Sequence, residues 1–170
     1  MIWATLGGVT VGLAVLIKHL IDWYPGMKAL RKDPARHAAG LAPFLIAWCY
    51  GALGILTVGG LIGWAFDAAL WATNWLGDVA LVWGVNGPIG TVSRGATYLP
   101  LTGTGNCVVL LLTVGIFAAI KKKEDWRVSL KRGIWCGLGL GTSAGVAGLA
   151  AVPLAQAANW LGATLYGAIG

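Results

Sequence analysis

Four long runs with almost no charge constrain this chain more than any other feature. They cover about residues 2–20, 40–66, 99–120 and 133–152. Around 20 helical residues, at ~1.5 Å each, cross the roughly 30 Å hydrocarbon layer of a bilayer. Lipid offers no partner to a backbone N–H or C=O, so each run is read as a helix. A membrane β-barrel needs alternating polar and apolar residues, and these runs are apolar on all sides. Composition agrees, with 58% hydrophobic and only 11% charged residues and a mean hydropathy of +0.77. Such a chain is neither an ordinary soluble enzyme nor a disordered segment. The expected fold class is all-α. It is a polytopic membrane protein with four transmembrane helices, arranged as two tandem, parallel-repeated hairpins with interfacial helices on the outer side.

The charges sit at two places. One block holds Lys18, Lys28, Arg31, Lys32 and Arg36. The other holds Lys121, Lys122, Lys123, Arg127, Lys131 and Arg132, and only Arg94 lies outside both. Basic loops beside apolar spans stay cytoplasmic. Both loops are therefore expected in the cytoplasm and both termini outside, in a prokaryotic cell membrane. No basic residue precedes Lys18, so the N-terminal run reads as a first membrane helix rather than a secretory signal. Lys28, Arg31, Lys32, Arg36, Lys121, Lys122, Lys123, Arg127, Lys131 and Arg132 are candidate contacts for anionic lipid or DNA phosphate. Trp23, Trp126 and Trp135 lie beside the basic loops, and Trp3, Trp64, Trp71, Trp75, Trp83 and Trp160 lie toward the opposite surface, as two aromatic belts would.

The chain repeats itself. VGLAVLIKHLIDW at 11–23 aligns with VGIFAAIKKKEDW at 114–126. Trp48-Cys49 then matches Trp135-Cys136, and Asn74-Trp75-Leu76-Gly77 matches Asn159-Trp160-Leu161-Gly162. Each unit reads as an apolar helix, a basic loop, a Gly-rich apolar helix and an outer Trp-bearing segment. The expected organisation is a first hairpin with its outer helix at 1–85, a linker and start of the third helix at 86–105, and a second hairpin at 106–170. Asp67, Asn74 and Asp78 recur at helical spacing within 67–83, which reads as a helix in the outer interface. Residues 154–169, after Pro153, read in the same way.

Glycines recur every four residues. Gly133, Gly137, Gly141 and Gly145 form one stripe in the fourth run. Gly8 and Gly12, and Gly59 and Gly63, repeat the spacing. Such stripes let helices approach until backbone contacts accumulate. They are expected to pack helices, either within the monomer or between copies.

Motifs for chemistry are sparse. The three cysteines (Cys49, Cys107, Cys136) show no metal spacing and read as small buried side chains. Ser93, Ser129 and Ser143 have no neighbouring His/Asp arrangement. No ionisable residue lies deep within a span. This sets the chain apart from rotary ATPase c-subunits, which its glycine row resembles, and argues against ion-coupled transport. No enzymatic role, metal or cofactor is expected, apart from bound phospholipid.

Each half resembles the hairpin pilins of conjugative secretion systems. The matching parts are the apolar runs 11–17 and 40–66 around the basic segment 18–36, then 114–120 and 133–152 around 121–132. Such pilins usually have one hairpin, and this chain has two. In composition the chain is also similar to the small hydrophobic spread proteins of actinobacterial conjugative elements. The resemblance implies a non-enzymatic membrane subunit that oligomerises into a channel or a macromolecular transfer assembly, with DNA or transfer machinery as partner. The alternatives are a pilin-like filament subunit, and a holin or accessory scaffold of a larger membrane complex.

Overall fold

The computed structural model describes residues 4–57, 59–91, 101–141 and 151–169. Most of these residues are helical, the rest lie in short connections, and no strand occurs among them. In chain order the helices are α1 (Leu6–Trp23), α2 (Met27–Lys32), α3 (Pro34–Ala39), α4 (Ala42–Ile55), α5 (Gly60–Val85), α6 (Gly103–Lys122), α7 (Glu124–Leu140) and α8 (Ala151–Ile169). Among the described residues, three stretches are long and apolar enough to cross a membrane: Leu6–Trp23, Pro34–Ile55 and Gly103–Lys122.

Several boundaries differ from the sequence reading. The second run is not one helix to residue 66. It stops at Ile55 and restarts at Gly60. Gly59 and Gly60 take φ +77° and +70°, a left-handed conformation that side-chain-bearing residues disfavour. Thr57 marks the same stop, its hydroxyl donating to the Leu53 carbonyl at 3.3 Å. The outer helix expected at 67–83 is therefore part of a 26-residue helix, about 39 Å long. The basic segments are not loops. Lys28, Arg31 and Lys32 lie on α2 and Arg36 on α3, which starts at Pro34, a residue suited to a first helical position. Only Lys123 separates α6 from α7. Glu124 and Asp125 then open α7, where a helix favours negative charge. The fourth run is seen as helix from Gly133 to Leu140, and its remainder falls largely outside the described residues.

The core is built on α4 and α7, the most extensive contact in the molecule. Gly133 meets Phe44 and Ala47, Gly137 meets Trp48, Gly51 and Ala52, and Gly141 meets Ala52. Both sets of numbers rise together, so the two helices run in the same direction. α1 runs opposite to α7, with Asp22 beside Arg132 and Gly12 beside Gly139. Tyr50 of α4 stacks edge-on to Phe66 of α5, ring centroids 5.2 Å apart. Its hydroxyl donates to Thr113 of α6 at 2.9 Å, since Thr113 itself donates to the Val109 carbonyl.

Helices α5 and α8 dock on helix starts. Phe66 of α5 fills the space beside Gly54, near the end of α4, while Asn74, Gly77 and Asp78 meet Gly7 and Gly8. α5 thus reaches from the end of α4 to the beginning of α1. Thr5 caps α1, its side chain accepting from the Gly8 N–H at 3.2 Å, and Asn74 Oδ1 accepts from the Thr5 N–H at 3.2 Å. Thr102 caps α6 in the same way. Its side chain accepts from the Gly105 N–H at 3.2 Å, and Asn159 Oδ1 of α8 accepts from the Thr102 N–H at 2.9 Å. Side-chain caps satisfy N–H groups that a helix leaves open.

These matching caps pair Thr5 with Thr102. The sequence alignment of 11–23 with 114–126 is displaced from that pairing by six residues. It places Trp23 at the end of α1 and Trp126 in the first turn of the next helix, α7. At the core crossing Gly51 faces Gly137, so the Trp-Cys alignment is displaced by one residue.

Candidate functional site

The expected packing glycines separate into three groups. Gly133, Gly137 and Gly141 lie against α4, and a Cβ at Gly137 would strike the Trp48 carbonyl oxygen. Gly8 lies against Asn74, and Gly12 against Gly139 and Leu140. These five are consumed by contacts inside the chain. Gly63 is buried on α5. Gly59 is not on a packing face, since it precedes α5 and a Cβ there would meet nothing within 4 Å. Gly145 lies outside the described residues. Sequence reasoning passed over Gly51, Gly77, Gly139 and Gly162. The signal for Gly77 and Gly162 was present in the repeated Asn-Trp-Leu-Gly.

The basic residues converge. Arg132 Nη1 of α7 donates to Asp22 Oδ2 at the end of α1, 2.6 Å away. This pair draws the end of α1 to the middle of α7, whose first half carries the second basic block. The two basic blocks therefore occupy one end of the bundle. Lys18 also reaches Asp22, at 3.3 Å. Trp23 Nε1 donates to the His37 carbonyl at 3.0 Å and folds α3 back onto α1. Lys28, Arg31, Lys32, Arg36, Lys121, Lys122, Lys123, Arg127 and Lys131 are all exposed, and Arg132 is half-buried. Eleven of the twelve Lys and Arg lie in these segments, with four of the six Asp and Glu. Asp67 and Asp78 lie on α5 instead.

His19 sits just inside this end. It is 5% exposed and stacks on Phe44, ring centroids 4.1 Å apart. Neither ring nitrogen has a hydrogen-bond partner among the described residues. In the sequence His19 lies between Lys18 and Asp22, at the charged end of the first apolar run. The stacking on Phe44 comes from a distant helix and left no local signal.

The remaining surface is apolar. Trp64, Trp71 and Trp75 are spaced seven and four residues apart, so they share one face of α5. All three are more than half exposed, as is Trp160 on α8. On α6, Leu110, Leu111, Val114 and Phe117 are exposed too. The cysteines are free, and they differ from one another. Cys136 is buried, Cys49 half-buried and Cys107 exposed. Among the described residues no group of His, Cys, Asp or Glu is placed to hold a metal ion. The arrangement offers anion contact at one end and hydrocarbon contact along its flanks. No protein-family model, curated protein or solved structure matches the chain.

Proposed function

We propose that the protein is a non-enzymatic membrane subunit of two tandem hairpins, each followed by an interfacial helix on the outer side. The cationic end faces the cytoplasm and both termini face out. Copies assemble into a channel or a macromolecular transfer assembly, of the kind used by conjugative elements. The observation that carries this reading is the separation of charge from apolar surface. Both basic blocks meet at one end through Asp22 and Arg132, and the flanks expose Trp, Leu and Phe. The like caps on α1 and α6, each held by an Asn from a following helix, support the duplication.

The glycine seams are used within the chain. Copies therefore meet through the exposed faces of α5 and α6 rather than through the Gly133–Gly141 stripe. The cationic ends then form one polyanion-binding surface, for lipid headgroups or nucleic-acid phosphate. The deciding experiment is the mass and shape of the mildly solubilised native protein, by light scattering and negative-stain microscopy. A ring of many copies is expected. An ordered filament favours the pilin-like alternative. A monomer, or one small complex with another protein, overturns assembly and leaves the scaffold role.

A further inference from the structure

The two halves of the bundle close differently. α1 lies directly on α7, with Gly12 against Gly139 and Leu140. α6 stands off from α4 and α7 and leaves a groove of about 340 Å³. Its walls are Pro43 and Ile46 of α4, Leu112 and Ile116 of α6, and Trp126 and Leu130 of α7. Every one of these side chains lacks a formal charge, and a hydrocarbon occupant fits them. Gly115 also lines the groove, and a Cβ there would meet nothing within 4 Å. This glycine keeps the groove open without any neighbour requiring it.

The groove ends among cations. Ala119 lines it, and Lys122, the last residue of α6, follows three residues later, the spacing that returns to the same side of a helix. Lys123 Nζ stands 5.0 Å from the centre of the Trp126 ring, which holds that charge at the groove's end. Hydrocarbon length beside fixed cations complements a lipid with a chain and a negative headgroup.

We propose that this groove seats one acyl chain of an anionic phospholipid, with the headgroup phosphate on Lys122 and Lys123. The inference rests on the membrane reading above, and does not depend on assembly. It is tested by native mass spectrometry of the full chain in mild detergent. The protein is titrated with phosphatidylglycerol or with phosphatidylcholine carrying the same chains. One phosphatidylglycerol per chain is expected, held more tightly than phosphatidylcholine. The double variant Lys122→Gln, Lys123→Gln is expected to lose roughly fivefold in phosphatidylglycerol affinity per lysine, at about 1 kcal/mol for each charge near a lipid surface. Phosphatidylcholine binding should fall less in that variant, because its choline cation already offsets the phosphate charge. Gly115→Leu points into the open groove and should lower occupancy by both lipids. Equal binding of the two lipids by the native chain, or unchanged occupancy in Gly115→Leu, overturns the proposal. If Gly115→Leu does not fold, the two exposed lysines still decide it. The same spectra report assembly mass. Lipid preference on a monomer overturns only the assembly reading, and assembly without lipid preference overturns only this one.

Discussion

A glycine costs a helix backbone entropy, so its value depends on what approaches it. Gly137 and Gly115 mark the extremes. At Gly137 a methyl group would collide with the Trp48 carbonyl and the Ala52 and Gly51 backbone, none of which can swing away as a side chain could. Gly137→Ala is expected to destabilise by about 1–3 kcal/mol, the usual range for overpacking. Gly115→Ala meets open space and should be neutral or slightly stabilising. Thermal melting of both variants in mild detergent checks this, and equal melting temperatures would remove the seam from the account. His19 offers a second test at this scale. Among the described residues both its nitrogens are buried without a partner, and an unsatisfied buried group costs about 1–3 kcal/mol. A phenyl ring can keep the stack on Phe44 without that cost. His19→Phe should therefore melt at the same temperature or higher. A drop of several degrees would mean that the imidazole has a partner in the assembled protein.

At the scale of helices, α5 and α8 work as clamps on helix starts. α5 and α8 each bring one Asn to the N-terminal cap of an apolar helix. At each start the Thr side chain accepts from one first-turn N–H, and the Asn accepts from the N–H of that Thr. Asn159→Ala should cost about 1 kcal/mol, a typical value for one hydrogen bond. The loss should appear as faster amide exchange over the first turn of α6, with α1 unaffected. Asn74→Ala should reverse the pattern. Exchange that rises at both helices, or at neither, would show that the caps do not act separately. The basic segments show the opposite case, where local chemistry decides alone. Pro34 and the Glu124-Asp125 pair start helices in stretches that charge counting had assigned to loops.

At the scale of the molecule, charge placement sets orientation and contributes little to stability. The Asp22–Arg132 pair is partly exposed, with side chains 41% and 26% accessible. Such pairs contribute about 0–1 kcal/mol. Asp22→Asn is expected to shift the melting temperature by only a degree or two. A large loss of stability would assign the pair a structural role beyond joining the two basic blocks. Orientation is checked by cysteine labelling in intact cells. In a chain whose three native cysteines are replaced by serine, Lys32→Cys and Lys131→Cys should be shielded from an impermeant maleimide, and Ala168→Cys should react. The reverse pattern would place the cationic end outside and overturn the topology.

The sequence by itself determined that this chain is helical and suited to a membrane. Charge-free runs long enough to span a bilayer admit no other backbone that satisfies its hydrogen bonds in lipid. It also showed where the cations lie and that Asn-Trp-Leu-Gly recurs. Helix ends were less legible, because a break such as Gly59-Gly60 depends on left-handed backbone that glycine permits and does not compel. Only the tertiary structure decided which glycines pack. Gly133, Gly137 and Gly141 share a spacing with Gly59 and Gly63, but Gly59 faces open space. Spacing places residues on one side of a helix, and only the position of the neighbouring helix makes that side an interface. The same holds for His19, for the union of the two basic blocks through Asp22 and Arg132, and for the groove that α6 leaves beside Trp126. Each depends on distances between residues far apart in the chain, which no local pattern encodes.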